Sequence, residues 1–226
     1  MYKWFCPVGG RIFDPFAGGS VRGIVAAKLG YEYHGIDLRQ EQIEANISNA
    51  HEIGVSPSWY CDDSLNADAH IEDGSCDMIF SCPPYADLEV YSDDPRDLSN
   101  MEYDQFREIY DQIIGIACRK LKPDRFSVFV VGDIRDRNGF YRGFVDYTKE
   151  CFNRRGCGTY NDAVIVDSVG TAQLRANRTF ALRKLVKTHQ NVLVFYNGDV
   201  ANIKKNFGEI EIDESALEPW ERGEES

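Results

Sequence analysis

The sequence predicts one doubly wound α/β domain with a mostly parallel sheet, on three observations. Short apolar runs alternate with helix-length amphipathic stretches, which is the pattern of βαβ units. A loop with two glycines, Asp14-Pro15-Phe16-Ala17-Gly18-Gly19-Ser20, stands between the first apolar run and the first helical stretch. An acidic residue, Asp37, closes the second run about twenty residues further on, the distance at which such folds keep a carboxylate for ribose hydroxyls.

Each element follows in order. Arg11 to Phe13 reads as the first strand, and a helix from Ser20 to Leu29 follows the glycine loop, with Gly30 as its stop. Tyr33 to Ile36 is the second strand. The next helix, Arg39 to Ile53, sets Ile43, Ile47 and Ala50 at helical spacing. Trp59 to Cys61 and Cys76 to Phe80 are the third and fourth strands. The fourth runs into Ser81-Cys82-Pro83-Pro84-Tyr85, where two prolines forbid further ladder pairing and force an extended, exposed turn. Residues 86–100 are polar and acidic without periodicity, a surface loop long enough to act as a lid. A helix from Met101 to Leu121 sets Phe106, Ile109, Ile113, Ile114 and Ala117 on one face, and Pro123 ends it. Phe126 to Val131, Ala163 to Val166 and Val192 to Tyr196 complete the strands. The domain is expected over residues 1–198, and 199–226, with nine acidic and three basic residues, as a frayed or loosely docked acidic tail.

Composition narrows the function. The 226 residues, 43% of them hydrophobic, suit one packed core. Seven scattered cysteines without CxxC spacing read as buried reduced thiols, not as a disulfide framework or a zinc site. No apolar stretch approaches the roughly 20 residues of a membrane helix, and the start lacks a signal-peptide core, so a cytoplasmic protein is expected. A net charge of −12 counts against bulk attraction to phosphates. Thr171 to Gln190, however, holds five basic residues and none acidic. Arg175, Arg178, Arg183 and Lys184 there are the candidates for phosphate contact, and Arg135, Arg137 and Arg142 after the fifth strand add to the same surface.

Ligands of open parallel sheets bind beyond the carboxyl ends of the strands, which makes the loops there the candidate site. Gly18 and Gly19 let backbone approach a ligand closely, and the absence of GxGxxG argues for a nucleoside cofactor other than a dinucleotide. Asp37 with Leu38 would hold ribose, and Asp62 or Asp63 would accept from an adenine amino group. The competing reading makes Asp14 a turn cap and Asp37 a helix cap. Pro83 and Pro84 present carbonyls that can orient a free amino group, and Tyr85 supplies a ring on which a planar base can stack.

Together these residues resemble the DNA amino-methyltransferases that modify adenine N6 or cytosine N4, over roughly Arg11 to Tyr196. The resemblance implies the Rossmann-like fold of S-adenosylmethionine-dependent methyltransferases. It also implies S-adenosylmethionine as cofactor, DNA as substrate, and an [DNS]PPY-type loop at Ser81, Cys82, Pro83, Pro84 and Tyr85 holding the target amino group. The run from Ser81 to Asn100 looks like modification methylases of phages and mobile elements, and Lys187 to Phe195 looks like the family's last strand. Two departures stand out. Cys82 replaces the usual acceptor before Pro-Pro-Tyr, and a thiol accepts poorly. Only about ten residues precede the first strand, so that either the chain is part of a larger enzyme or Tyr2 to Pro7 with a partner chain or second copy closes the methionine pocket. The implied chemistry is direct in-line transfer without a metal. A methyltransferase of glutamine side chains in proteins and a silent cofactor- or DNA-binding subunit are the alternatives.

Overall fold

The computed structural model describes residues 1–85, 91–166, 170 and 172–209; within 172–179 the side chains of residues 173–175 and 178 lie outside that description. Its elements are α1 (Tyr2–Phe5), β1 (Arg11–Asp14), α2 (Val21–Lys28), β2 (Glu32–Asp37), α3 (Gln40–Ile53), β3 (Ser58–Cys61), β4 (Cys76–Ser81), α4 (Tyr103–Lys120), β5 (Leu121–Val131), α5 (Phe144–Asn153), β6 (Gly158–Val166), α6 (Ala172–Thr179), β7 (His189–Asn197) and α7 (Ile203–Asn206). The strands form one seven-stranded sheet in the order β3-β2-β1-β4-β5-β7-β6. The first five are parallel, and β7 runs antiparallel between β5 and β6. The expected doubly wound, mostly parallel, Rossmann-like sheet is therefore present.

Strand alternation builds a core on each face. Ile12, Met78, Phe126, Val128, Val192, Val194 and Tyr196 face the side covered by α1, α2 and α3, while Phe13, Ile79, Phe129, Val131, Leu193 and Phe195 face α4 and α5. The strand order reverses between β1 and β4, so the loops after those two strands, 14–20 and 81–85, meet at the switch point.

Several boundaries differ from expectation. Helix α4 ends at Lys120, three residues before Pro123, because Leu121 already pairs with Cys76; Pro123 lies inside the irregular start of β5. Strand β6 begins at Gly158, well before Ala163, and is an edge strand whose residues are exposed throughout, so no apolar pattern marks its first half. On α3 the buried face is Ile43, Asn46 and Ala50, and Ile47 is exposed. Helix α5 was not expected; its buried positions 144, 145, 148, 151 and 152 have helical spacing only if Thr148 and Cys151 count as apolar. Of the two alternatives for the segment beyond Asp199, the described part takes the docked one: it folds back through α7, with the Phe207 ring 5.1 Å from that of Phe126. Residues 210–226 lie outside the described residues.

Gly23 tests the packing of α2 on the sheet. A Cβ there would come within 2.5 Å of Trp59 Cζ2 and 3.0 Å of Tyr33 Cδ1. Although alanine favours helix, Gly23→Ala should lower stability by about 1–3 kcal/mol, read as a lower urea midpoint with an unchanged slope.

Candidate active site

The glycine loop is held by one buried carboxylate. Asp14, fully buried at the end of β1, accepts hydrogen bonds from Phe16 N (3.1 Å) and Ser81 Oγ (2.5 Å) on Oδ1, and from Arg22 Nε (2.6 Å) and Tyr33 Oη (2.8 Å) on Oδ2. Four donors fill its acceptor sites, so Asp14, expected among the cofactor residues, is spent inside the protein and does not line the cavity that the loop borders. Ser81 is buried and committed to Asp14 in the same way.

Arg22 is the residue that the loop closes around. Its Nη2 donates to the carbonyls of Phe16 (2.6 Å) and Ala17 (2.8 Å), which turns those carbonyls inward. Burial works against its charge, but Asp14 outweighs that cost and holds the guanidinium above its ordinary pKa. Ala17 is buried beneath the loop: its N donates to Ile36 O at 3.0 Å, and a Cβ on Gly35 would lie 2.7 Å from its own Cβ. Gly18, in the left-handed region at φ +50°, donates its N to Asp37 Oδ2 at 3.0 Å and accepts Asn46 Nδ2 at 2.7 Å.

These elements enclose a cavity of about 390 Å³. From the glycine loop it is walled by Pro15, Phe16, Gly18, Gly19 and Arg22; from the end of β2 by Ile36, Asp37, Leu38 and Arg39; and beyond β3 by Asp63 and Ser64. Cys82, Pro83 and Pro84 form the wall from β4, and Ile109 and Ile113 the floor from α4. The expected lid contributes Tyr91, Arg96, Asp97 and Leu98, with Arg39 lying 5.8 Å from the Tyr91 ring centre; residues 86–90 lie outside the described residues.

Placement separates the expected cofactor residues. Asp37 accepts from Gly18 N and, on Oδ1, from Arg39 N at 2.9 Å, and it still lines the cavity. Asp63 also lines it, but its carboxylate caps the short helical turn 64–69 through Leu65 N at 2.9 Å. Asp62 faces away, bonded to Asn66 Nδ2 and His70 Nε2. Ser20 accepts Asn49 Nδ2 outside the cavity, and Ser64, which no sequence pattern marked, donates to Pro15 O. Arg22 and Asn46 were likewise missed. Arg22 lies one helical turn beyond the glycines with the carboxylate Asp14 before them, a pairing that could have been read as a loop clamp.

In the 81–85 loop, the Cys82 thiol sits beside Arg22 and is pushed up by burial from its ordinary pKa. The Pro83 carbonyl takes no hydrogen bond from any described residue. Tyr85 stands outside this cavity, at the β5–β7 side: its ring meets Phe144 edge-on at 6.1 Å and its Oη donates to Gln190 Oε1 at 3.2 Å. Of the basic candidates, Arg183 is exposed at φ +56°, and Lys184 Nζ would be 2.8 Å from a Cβ on Gly139. The side chains of Arg175 and Arg178 lie outside the described residues.

Solved structures share this architecture. A ribosomal RNA methylase of Streptococcus thermophilus aligns over 87% of this chain and 92% of its own at a TM-score of 0.55 and 9% identity. A methyltransferase of Pyrococcus furiosus aligns over 88% and 80% at 0.54 and 17% identity. A geranyl diphosphate methyltransferase in complex with S-adenosylmethionine aligns over 87% and 81% at 0.57 and 14% identity. At such identities the likeness is one of fold, and it makes the fold the Rossmann-like one of S-adenosylmethionine-dependent methyltransferases. No protein-family model and no curated protein sequence matches the chain.

Asp14→Ala leaves the Arg22 charge buried without its partner and should destabilise the chain by about 3–5 kcal/mol in chemical denaturation, with Asp14→Ala/Arg22→Met recovering part of the loss. For Cys82, the alkylation rate followed by peptide mass spectrometry should rise to its half-point above the ordinary thiol pKa of 9.0. A half-point below that value would make Cys82 a candidate nucleophile.

Proposed function

We propose that the chain transfers a methyl group from S-adenosylmethionine to the exocyclic amino group of a DNA base, adenine N6 or cytosine N4. The observation that supports this best is that Cys82, Pro83 and Pro84 wall the same cavity as Gly18, Gly19 and Asp37. A cofactor loop and an amino-group loop thus share one enclosure.

The lining fits the cofactor. Its three cations, Arg22, Arg39 and Arg96, are matched by three carboxylates, Asp37, Asp63 and Asp97, a balance that suits a zwitterion better than a polyphosphate. The volume lies in the range of small-molecule pockets, about 300–1,000 Å³. Asp37, whose carboxylate takes backbone hydrogen bonds from Gly18 N and Arg39 N and keeps lone pairs over, accepts ribose hydroxyls; Ile36, Leu38, Leu98 and Ile113 cover the apolar faces; and Arg22 offers its cation to the amino-acid carboxylate. When bound, S-adenosylmethionine would supply the methyl group: the base nitrogen bonds to the methyl carbon as the carbon–sulfur bond breaks, S-adenosylhomocysteine is the leaving group, and the nitrogen then gives up a proton to solvent.

The chain's own part is positioning. The Pro83 carbonyl accepts from the base N–H and turns the nitrogen lone pair toward the donor, Tyr85 stacks on the extruded ring, and the lid residues exclude water. Cys82, neutral through burial, packs beside Arg22 without entering the reaction, so Cys82→Ser retains transfer.

Titration calorimetry with S-adenosylmethionine should show binding that Asp37→Asn weakens about ten- to a hundredfold, the loss of charge-assisted hydrogen bonds. Tyr85→Ala should keep cofactor affinity and lose transfer. Incubation with genomic DNA followed by nucleoside mass spectrometry should reveal N6-methyladenine or N4-methylcytosine; label in protein alone would instead support glutamine methylation.

A further inference from the structure

The segment between β5 and α5 contains a feature that the cofactor cavity does not use. Residues 135–141 form a closed turn: Arg135 bridges Tyr141, Asp136 N donates to Phe140 O at 2.8 Å, Gly139 N to Asp136 O at 3.0 Å, and Phe140 N to Asp136 Oδ1 at 2.8 Å. The Arg135 guanidinium lies 3.8 Å from the Tyr141 ring centre and donates Nη1 to Gly139 O at 2.7 Å, which stiffens the base of the turn. At the tip, Phe140 is 73% exposed. Single exposed apolar residues are common; this one is set apart by the hydrogen-bonded turn that presents it and by the cations around it.

The surroundings say what the ring meets. Lys184 borders Gly139, the neighbour of Phe140. Arg137 is exposed beside the tip, and Arg135 and Arg142 flank it. The two acids of the segment are turned inward onto backbone: Asp133 Oδ1 accepts from Ile134 N and Phe144 N, and Asp136 caps its own turn. Residues 133–142 carry three arginines against two aspartates, with Lys184 as a further cation beside the turn, in a chain of net −12. The turn also sits at the ligand edge of the sheet. It leaves β5 beside Gly132, where a Cβ would lie 3.6 Å from Tyr85 Oη, and Gln190, the partner of that hydroxyl, is the second residue of β7 and closes the same basic segment as Lys184.

We infer that this turn docks duplex DNA, its cations on the phosphates and Phe140 as the apolar wedge that enters the base stack vacated by the target. The inference rests on the proposed base methylation. Extruding a base costs a few kcal/mol in unstacking, and an inserted apolar ring offsets part of that cost. A single strand has no stack to refill, so the wedge matters only on a duplex.

The test uses the full chain, labelled S-adenosylmethionine, and genomic DNA as duplex and after heat denaturation. Phe140→Ala should lower kcat/KM on the duplex by about ten- to a hundredfold, with a far smaller loss on single strands and unchanged cofactor binding. In Phe140→Trp, adding a 30-bp random-sequence duplex should quench indole emission more than in the wild type, through stacking. Equal losses on both DNA forms, no loss, or no extra quenching overturns the wedge. Phe140-dependent transfer to duplex RNA alone overturns the assignment to DNA. Wild-type protein that labels neither DNA form overturns the base-methylation reading itself, an outcome distinct from an active enzyme indifferent to Phe140.

Discussion

The site depends on the four hydrogen bonds converging on Asp14. Its donors come from α2, β2, the end of β4 and its own loop, so one carboxylate ties together elements far apart in sequence. Removing such a charge from water is costly, and it is tolerated here because every acceptor position is used and the opposing guanidinium is adjacent. Ser81, one of the donors, immediately precedes Cys82. The hydrogen bond to it couples the glycine loop directly to the proline loop, and the spacing between those loops is fixed by a buried contact, not by the ligand.

That arrangement explains why part of the site was legible in the sequence and part was not. Strands β1, β2 and β4 are apolar runs flanked by turn chemistry, and parallel pairing buries both their faces, so their ends and the loops beyond them could be read directly. Asp14 and Asp37 belong to similar loop positions, yet one is saturated by protein donors and the other faces the cavity. Only the partners Arg22, Tyr33 and Ser81 make that difference, and their convergence is a property of the fold. Asn46 was hidden for a related reason: a polar residue on the buried face of α3 looks like an error in periodicity until Gly18 O is seen to receive its amide. Helix α5 escaped because Thr148 and Cys151 fill apolar positions while looking polar or neutral. Strand β6 escaped because an exposed edge strand needs no apolar pattern.

The lid shows a middle case. Its length and polarity were evident, and its contribution to the cavity through Tyr91, Arg96, Asp97 and Leu98 follows from α4 returning beneath the switch point. Within it, Asp97 is buried and caps its own short turn through Ser99 N, and Ser92 Oγ donates to it, so the cavity-facing end is shaped by local hydrogen bonds. Arg96 is held by Asp94 at 2.7 Å, which sets a cation at the rim without a buried charge.

The sheet order sets the Asp14 clamp at its centre, on β1, β2 and β4, whereas β6 lies at the far edge, paired with β7 and braced by α5 through Lys149 Nζ to Asp162 Oδ2 at 2.8 Å. No donor to Asp14 comes from β6 or α6, so a change in length or sequence along that edge leaves the central clamp as it is.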